Sequence, residues 1–178
     1  NGLRYQAHVA NRREHRVHAL YEMSRDLSGA LTTGQIATIA RQFAKFEFKS
    51  KVSLLLVDDK DHLLDAAPQG DALTPVDMGI ARWSFDHDAP AGCGTDTLPA
   101  SPILYVPLRA PMRTRGVMAL EPTSPQRLTS PEQQQLLDTF ARLIAISLER
   151  VHYVDVAQHT TLQIESERLR NSLLSAIS

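Results

Sequence analysis

ILYVPLRAPMRTRGVMALEP (residues 103–122) is the stretch on which the fold turns. ILYVPLR (103–109) is an apolar run rich in branched and aromatic side chains and reads as a strand. PMRT (111–114) has the content of a turn, and RGVMALEP (115–122) is a second strand. A connection this short makes the pair antiparallel, because a parallel partner needs a crossover of about a dozen residues or more. Upstream, KVSLLLVD (51–58) is a buried strand, DDKD (58–61) a turn and HLLDA (62–66) a return strand. A loop rich in Pro, Gly and Asp follows through Ala72. Thr74, Pro75 and Asp77 predict the start of a short helix with proline at its first position, carrying Ile80, Ala81 and Trp83.

Helical periodicity flanks these strands. Residues 3–28 place Tyr5, Val9, Val17, Leu20, Met23 and Leu27 at helical spacings, with a polar gap in NRREHRVH (11–18). Leu20, Met23 and Leu27 fit a short seam for a partner helix, and Gly29 ends the run. Thr32 and Gln35 have capping-box spacing for a second helix over 33–46, with Ile36, Ile39, Ala40 and Phe43 on one face. Ser130, Pro131, Glu132 and Gln133 open a third long helix. Its stripe of Leu136, Leu137, Phe140, Leu143, Ile144 and Leu148 is wide enough to bury. No glycine or proline occurs after Pro131, so helix can continue to Ser178. Leu162, Leu169 and Ala176, interleaved with Ser166 and Leu173, form a sparse heptad. The order of elements predicts an α+β fold: an antiparallel β-sheet with N- and C-terminal helices packed on one face.

The chain has 178 residues, 43% of them hydrophobic, which suits one domain with helical extensions. A net charge of −1 argues against generic nucleic-acid binding. One cysteine cannot close an internal disulfide, which fits a reducing cytosol. No apolar run approaches the ~18 residues that span a bilayer. The start at Asn1 and the stop at Ser178 in mid-helix are expected to be cuts in a longer protein.

The run RWSFDHDAPAGCGTDTLPASPILYVPL (82–108) resembles a GAF domain, and more narrowly the GAF segment of KdpD-type potassium-responsive bacterial sensor histidine kinases. LRYQAHVANRREHRVHALYEMSRDL (3–27) is similar to the linker that leaves the last membrane helix of those kinases. SPEQQQLLDTFARLIAISLER (130–150) resembles their last GAF core helix, and SERLRNSLLSAIS (166–178) the approach to the phosphoacceptor helix. The resemblance implies a leading signalling helix (1–30), a GAF domain (31–150) and an exit helix (151–178). It implies a homodimeric, cytoplasmic module of an inner-membrane kinase. The kinase core would lie in cis and a response regulator would accept the phosphate.

Several constellations invite a chemical reading. His87, Cys93 and Asp96 could form a nucleophilic set, but cysteine enzymes gather such groups from distant segments and these lie within ten residues. Gly92 and Gly94 could form a phosphate nest, yet no lysine follows and the loop precedes a strand instead of opening a helix. The plainer reading is a structural loop, with Asp96 and Thr97 bonding the backbone. In the GAF fold the ligand pocket matches residues 74–102, so the resemblance makes Trp83, Phe85, His87, Cys93, Thr95, Asp96 and Thr97 a candidate lining. The Asn-Lys dipeptide of cyclic-nucleotide GAF domains and the Cys-His pair of bilin-binding ones are both missing. A small, unfilled pocket is expected, with no cofactor. His15 and His18 have a zinc-compatible spacing but lack further ligands, so no metal site is expected. Arg12, Arg13 and Arg16 read either as a solvated helix face or as contacts to anionic headgroups.

The function expected is mechanical coupling: a motion of the leading helix changes the exit helix, whose seam is weakened by Gln158 and Ser166. The signalling positions are Leu20, Met23, Leu27, Leu162, Leu169 and Leu173. The first rival is a small-ligand or ion-sensing module using a pocket around residues 83–97. A GAF-type sulfoxide reductase ranks last, because one cysteine cannot make the intramolecular disulfide such enzymes use.

Overall fold

A computed structural model describes residues 2–68 and 73–177. Part of the loop predicted before Ala72 and the final Ser178 lie outside the described residues. The helices are α1 (Gly2–Ser28), α2 (Thr33–Phe43), α3 (Met78–His87) and α4 (Pro131–Ile177). The strands are β1 (Ser50–Val57), β2 (Leu63–Asp65), β3 (Ala91–Gly92), β4 (Leu104–Arg109) and β5 (Thr114–Pro122). They form one antiparallel sheet in the order β2-β1-β5-β4-β3. The architecture is α+β, as predicted.

The local signals act through hydrogen bonds. Thr32 Oγ1 accepts from Gln35 N, while Gln35 Oε1 accepts from Leu31 N, so two amides that the helix leaves unpaired are satisfied. Ser130 Oγ accepts from Gln133 N in the same way. α3 starts later than predicted. Its N-cap is Asp77, whose Oδ1 accepts from Gly79 N and Ile80 N, so Pro75 stays outside the helix. Asp77 N in turn donates to the hydroxyl of the buried Tyr105, which ties the start of α3 to β4. α2 ends at Phe43, short of the predicted 46, and a π-helical turn (Ala44–Phe48) leads to Lys49 at φ 49°.

Period-two alternation divides the sheet into two faces. Val52, Leu54, Leu104, Val106, Leu108, Met118 and Leu120 meet α2 and α4 in the main core. Leu55, Ile103, Tyr105, Val117 and Ala119 meet α3 in a smaller one. α1 lies on the main-core side and packs on α2 and α4.

α1 and α4 run parallel. Arg16 Nη1 lies 3.0 Å from Glu132 Oε2 near the start of α4. Eleven and twelve residues further along α1, the carbonyls of Leu27 and Ser28 receive the guanidinium of Arg150. Met23 and Leu27 are 3% and 2% exposed and belong to the main core. Both are already covered within the chain, which corrects their assignment to a seam with a second subunit. Leu20 is half-buried against the same core.

Candidate functional site

Seven residues were expected around one pocket, and the structure divides them between the two sheet faces. Trp83, Phe85 and His87 sit on α3. Phe85 packs against the smaller core, and the Trp83 and His87 rings stack at 4.2 Å, with His87 Nδ1 2.9 Å from the Trp83 carbonyl. The chain then passes around the sheet edge through β3. Cys93 falls in the main core on the opposite face. The reason is the short β3 pairing, Ala91 with Tyr105 and Gly92 with Leu104, which turns the following loop under α4.

That loop is built by Thr95. Its hydroxyl lies 2.8 Å from the carbonyls of both Gly92 and Thr97, which share its one proton, and Gly92 N donates to Thr97 O. Thr95 thus does the backbone bonding that the sequence reading gave to Asp96 and Thr97. Gly92 is required here: at φ 92° a Cβ would sit 2.1 Å from the Ile103 carbonyl oxygen. Burial pushes the Cys93 thiol above its ordinary pKa, the reverse of what an activated nucleophile needs.

A groove of about 660 Å³ separates this loop from α4. Cys93, Thr95, Asp96 and Thr97 border it, with Leu104 and Val106 of β4 on one wall and Asp138 and Arg142 of α4 on the other. Trp83, Phe85 and His87 are outside that lining. The groove offers two arginines, Arg109 and Arg142, of which Arg109 is held 2.7 Å from Asp88.

At the last buried turn of α4 the polar groups are concentrated. Glu149 Oε2 lies 3.1 Å from Arg115 Nε, with both side chains 10% exposed, and its carboxylate also accepts from Met112 N. The Arg115 guanidinium lies 5.2 Å from the Tyr153 ring. Arg150 donates to Leu27 O and Ser28 O at 2.6 Å and to Ala30 O at 3.0 Å. Nothing in the sequence marks these residues, because Glu-Arg in a helix has the pattern of ordinary surface. From His152 to Ile177 every described side chain is exposed, Leu162, Leu169 and Leu173 at 65%, 66% and 66%.

Among the described residues no group of three or more His, Cys, Asp or Glu could hold a metal ion. No helix among them is long and apolar enough to cross a membrane.

With the sheet, its two helical faces and the parallel terminal helices in place, comparison with known proteins gives the class. The family model for the GAF domain matches residues 36–150, and the chain belongs to that family. Within it the likeness is to the KdpD type. The chain is 43% identical over 178 residues to the sensor protein KdpD of Escherichia coli, covering 99% of this chain and 20% of that protein. It is 27% identical over 187 residues to the sensor protein KdpD of Clostridium acetobutylicum, covering all of this chain and again 20% of the relative. The chain therefore spans about a fifth of the length of these curated relatives. The crystal structure of the GAF domain of the potassium sensor histidine kinase KdpD from E. coli superimposes with a TM-score of 0.73 at 39% identity. That match covers 80% of this chain and 99% of the other. The GAF domain of an Acinetobacter phosphoenolpyruvate-protein phosphotransferase shares the fold alone, with a TM-score of 0.58 at 12% identity, covering 79% of this chain and 96% of that one.

Proposed function

We propose that this chain is the signal-coupling GAF module of a KdpD-type, membrane-bound sensor histidine kinase in a two-component system that controls potassium uptake. The observation that carries the reading is the parallel packing of α1 and α4, together with the length of α4 beyond the domain. The stretch from His152 to Ile177 extends about 39 Å at 1.5 Å per residue and is exposed throughout. An isolated helix exposing leucines seven residues apart is a half-site for a copy of itself, since burying each leucine is worth about 2 kcal/mol. The module dimerises through Leu162, Leu169 and Leu173. It passes the setting of α1 to an ATP-dependent kinase core, which phosphorylates its own histidine and then a response regulator. Arg12 and Arg13 are exposed on α1 and are free to meet anionic headgroups on the cytoplasmic face of an inner membrane. Arg16 is half-buried and paired with Glu132, so it is withdrawn from that role.

The experiment is a chimera of E. coli KdpD carrying this chain in place of its own GAF segment. Ser166→Leu, which fills a polar seam position, is expected to hold the output in one state. Autophosphorylation and phosphatase rates that match the unsubstituted chimera at both low and high potassium would remove the lever.

The groove beside Cys93 favours a second reading, a small-ligand or ion-sensing module. A thermal-shift screen with potassium, other salts and nucleotides tests it. A saturable rise in Tm lost in Arg142→Ala supports sensing, and a flat screen removes it.

A further inference from the structure

Glu149 and Arg150 are consecutive, yet they are held by different parts of the fold. Successive helical residues project about 100° apart. Glu149 faces the sheet, where Arg115 Nε and Met112 N meet its carboxylate. Arg150 faces the end of α1, where its fork takes three carbonyls from Leu27 to Ala30. These include carbonyls that a helix leaves unpaired at its C-terminus, where its dipole is negative and a cation is favoured. Both residues sit where α4 leaves the domain: Glu149 is buried, and exposure is continuous from His152 onward.

We infer that Glu149 and Arg150 form the junction at which a displacement of α1 is handed to the exposed length of α4; this rests on the coupling reading above. Arg150 registers the axial position of the end of α1. Glu149 anchors the same turn to the β4–β5 connection, and Arg115 continues the anchor to Tyr153 in the first exposed turn. Both sets of bonds are satisfied together in one rotational setting of α4. Drawing α1 back along its axis parts the exposed Arg150 from its carbonyls, and turning α4 strips the buried Glu149 carboxylate of Arg115 Nε and Met112 N. That loss is too costly to spread over intermediate positions, so the junction changes between discrete settings. Arg115 Nη2, buried and without a hydrogen-bond partner among the described residues, is a donor available to a second setting.

The test uses the potassium response of the chimera, read as the ratio of autokinase rates at low and high potassium. Amide exchange on the 178-residue chain is read alongside. Arg150→Gln is expected to cut the response ratio at least tenfold and to speed exchange in residues 24–30 at least tenfold. Glu149→Gln is expected to cut the ratio while leaving exchange in residues 24–30 unchanged. Arg113→Gln, an exposed change in the neighbouring turn, should alter neither readout. If Arg150→Gln does not fold, Arg150→Lys keeps the charge without the three-way fork and should likewise cut the response ratio and speed exchange in residues 24–30. Faster exchange with an intact potassium response overturns the junction and leaves coupling standing. A four-residue insertion after Gln158 that leaves the output untouched, or an unsubstituted chimera with no potassium response, overturns the coupling reading and the junction with it.

Discussion

Phe140 of α4 stacks on Phe43 of α2 with ring centroids 4.8 Å apart, and Phe48 closes on Phe140 at 5.7 Å. Phe140 is fully buried at the centre of the main core, so it joins both helices to the sheet. Phe140→Ala removes this cluster and leaves a cavity. The expected cost is about 3–5 kcal/mol, read as a lower urea midpoint at unchanged slope. A loss under 1 kcal/mol would mean the cluster contributes no more than surface contact.

Gly116 on β5 lies opposite Leu56, and a Cβ there would sit 2.1 Å from the Leu55 carbonyl oxygen. The obstacle is backbone in the two longest strands, which cannot swing aside as a side chain can. Gly116→Ala is expected to destabilise by about 1–3 kcal/mol or to abolish folding. Gly94→Ala meets no atom within 4 Å, and its cost comes from φ 75° alone. Thermal unfolding of the two variants should rank them in that order.

Asp58 holds the β1–β2 turn by accepting from His62 N and Lys60 N at 2.8 Å each. The His62 amide chiefly lowers its carboxyl pKa, partial desolvation opposes this, and the Lys60 amide lowers it further. A carboxyl whose folded pKa is depressed adds stability above its unfolded pKa and loses it as pH falls through the folded one. Asp58→Asn should therefore lower stability at pH 7, where the ionised carboxylate contributes in full, and converge on the unsubstituted chain as pH falls below about 4. An NMR titration placing the Asp58 carboxyl at or above the ordinary value would contradict this.

Cys93 is buried and its thiol pKa is raised. Thiolate is the reactive form, so modification by a disulfide reagent at pH 8 should be slower in the folded chain than in urea. Equal rates in the two conditions would place the thiol in solvent.

The exposed seam gives the simplest solution test. The chain should be a dimer at micromolar concentration by light scattering, and Leu169→Glu should shift it to monomer without changing Tm of the globular part. A dimer that survives Leu162→Glu and Leu169→Glu together would move the interface elsewhere.

The site was less legible than the fold. Trp83 to Thr97 all fall in the 74–102 segment that the GAF resemblance makes the pocket, which implies one lining for all of them. β3 places the sheet edge between them, and two residues of pairing are too short to announce themselves by periodicity. Leu20, Met23 and Leu27 carry the spacing of a seam, but that spacing is the same whether the partner is another copy or α2 and α4 of the same chain.

The strands at 50–57, 104–109 and 114–122, the caps at Thr32 and Ser130, and the unbroken helix from Pro131 are all local. They follow from alternation, hydroxyl placement and the absence of breakers, so the amino-acid order alone determines them. Which sheet face each segment covers, the division of the candidate pocket and the grip of Arg150 on the end of α1 depend on residues up to 123 positions apart. Those pairings are selected by packing and by the need to satisfy buried polar groups, which act only once the chain has closed on itself.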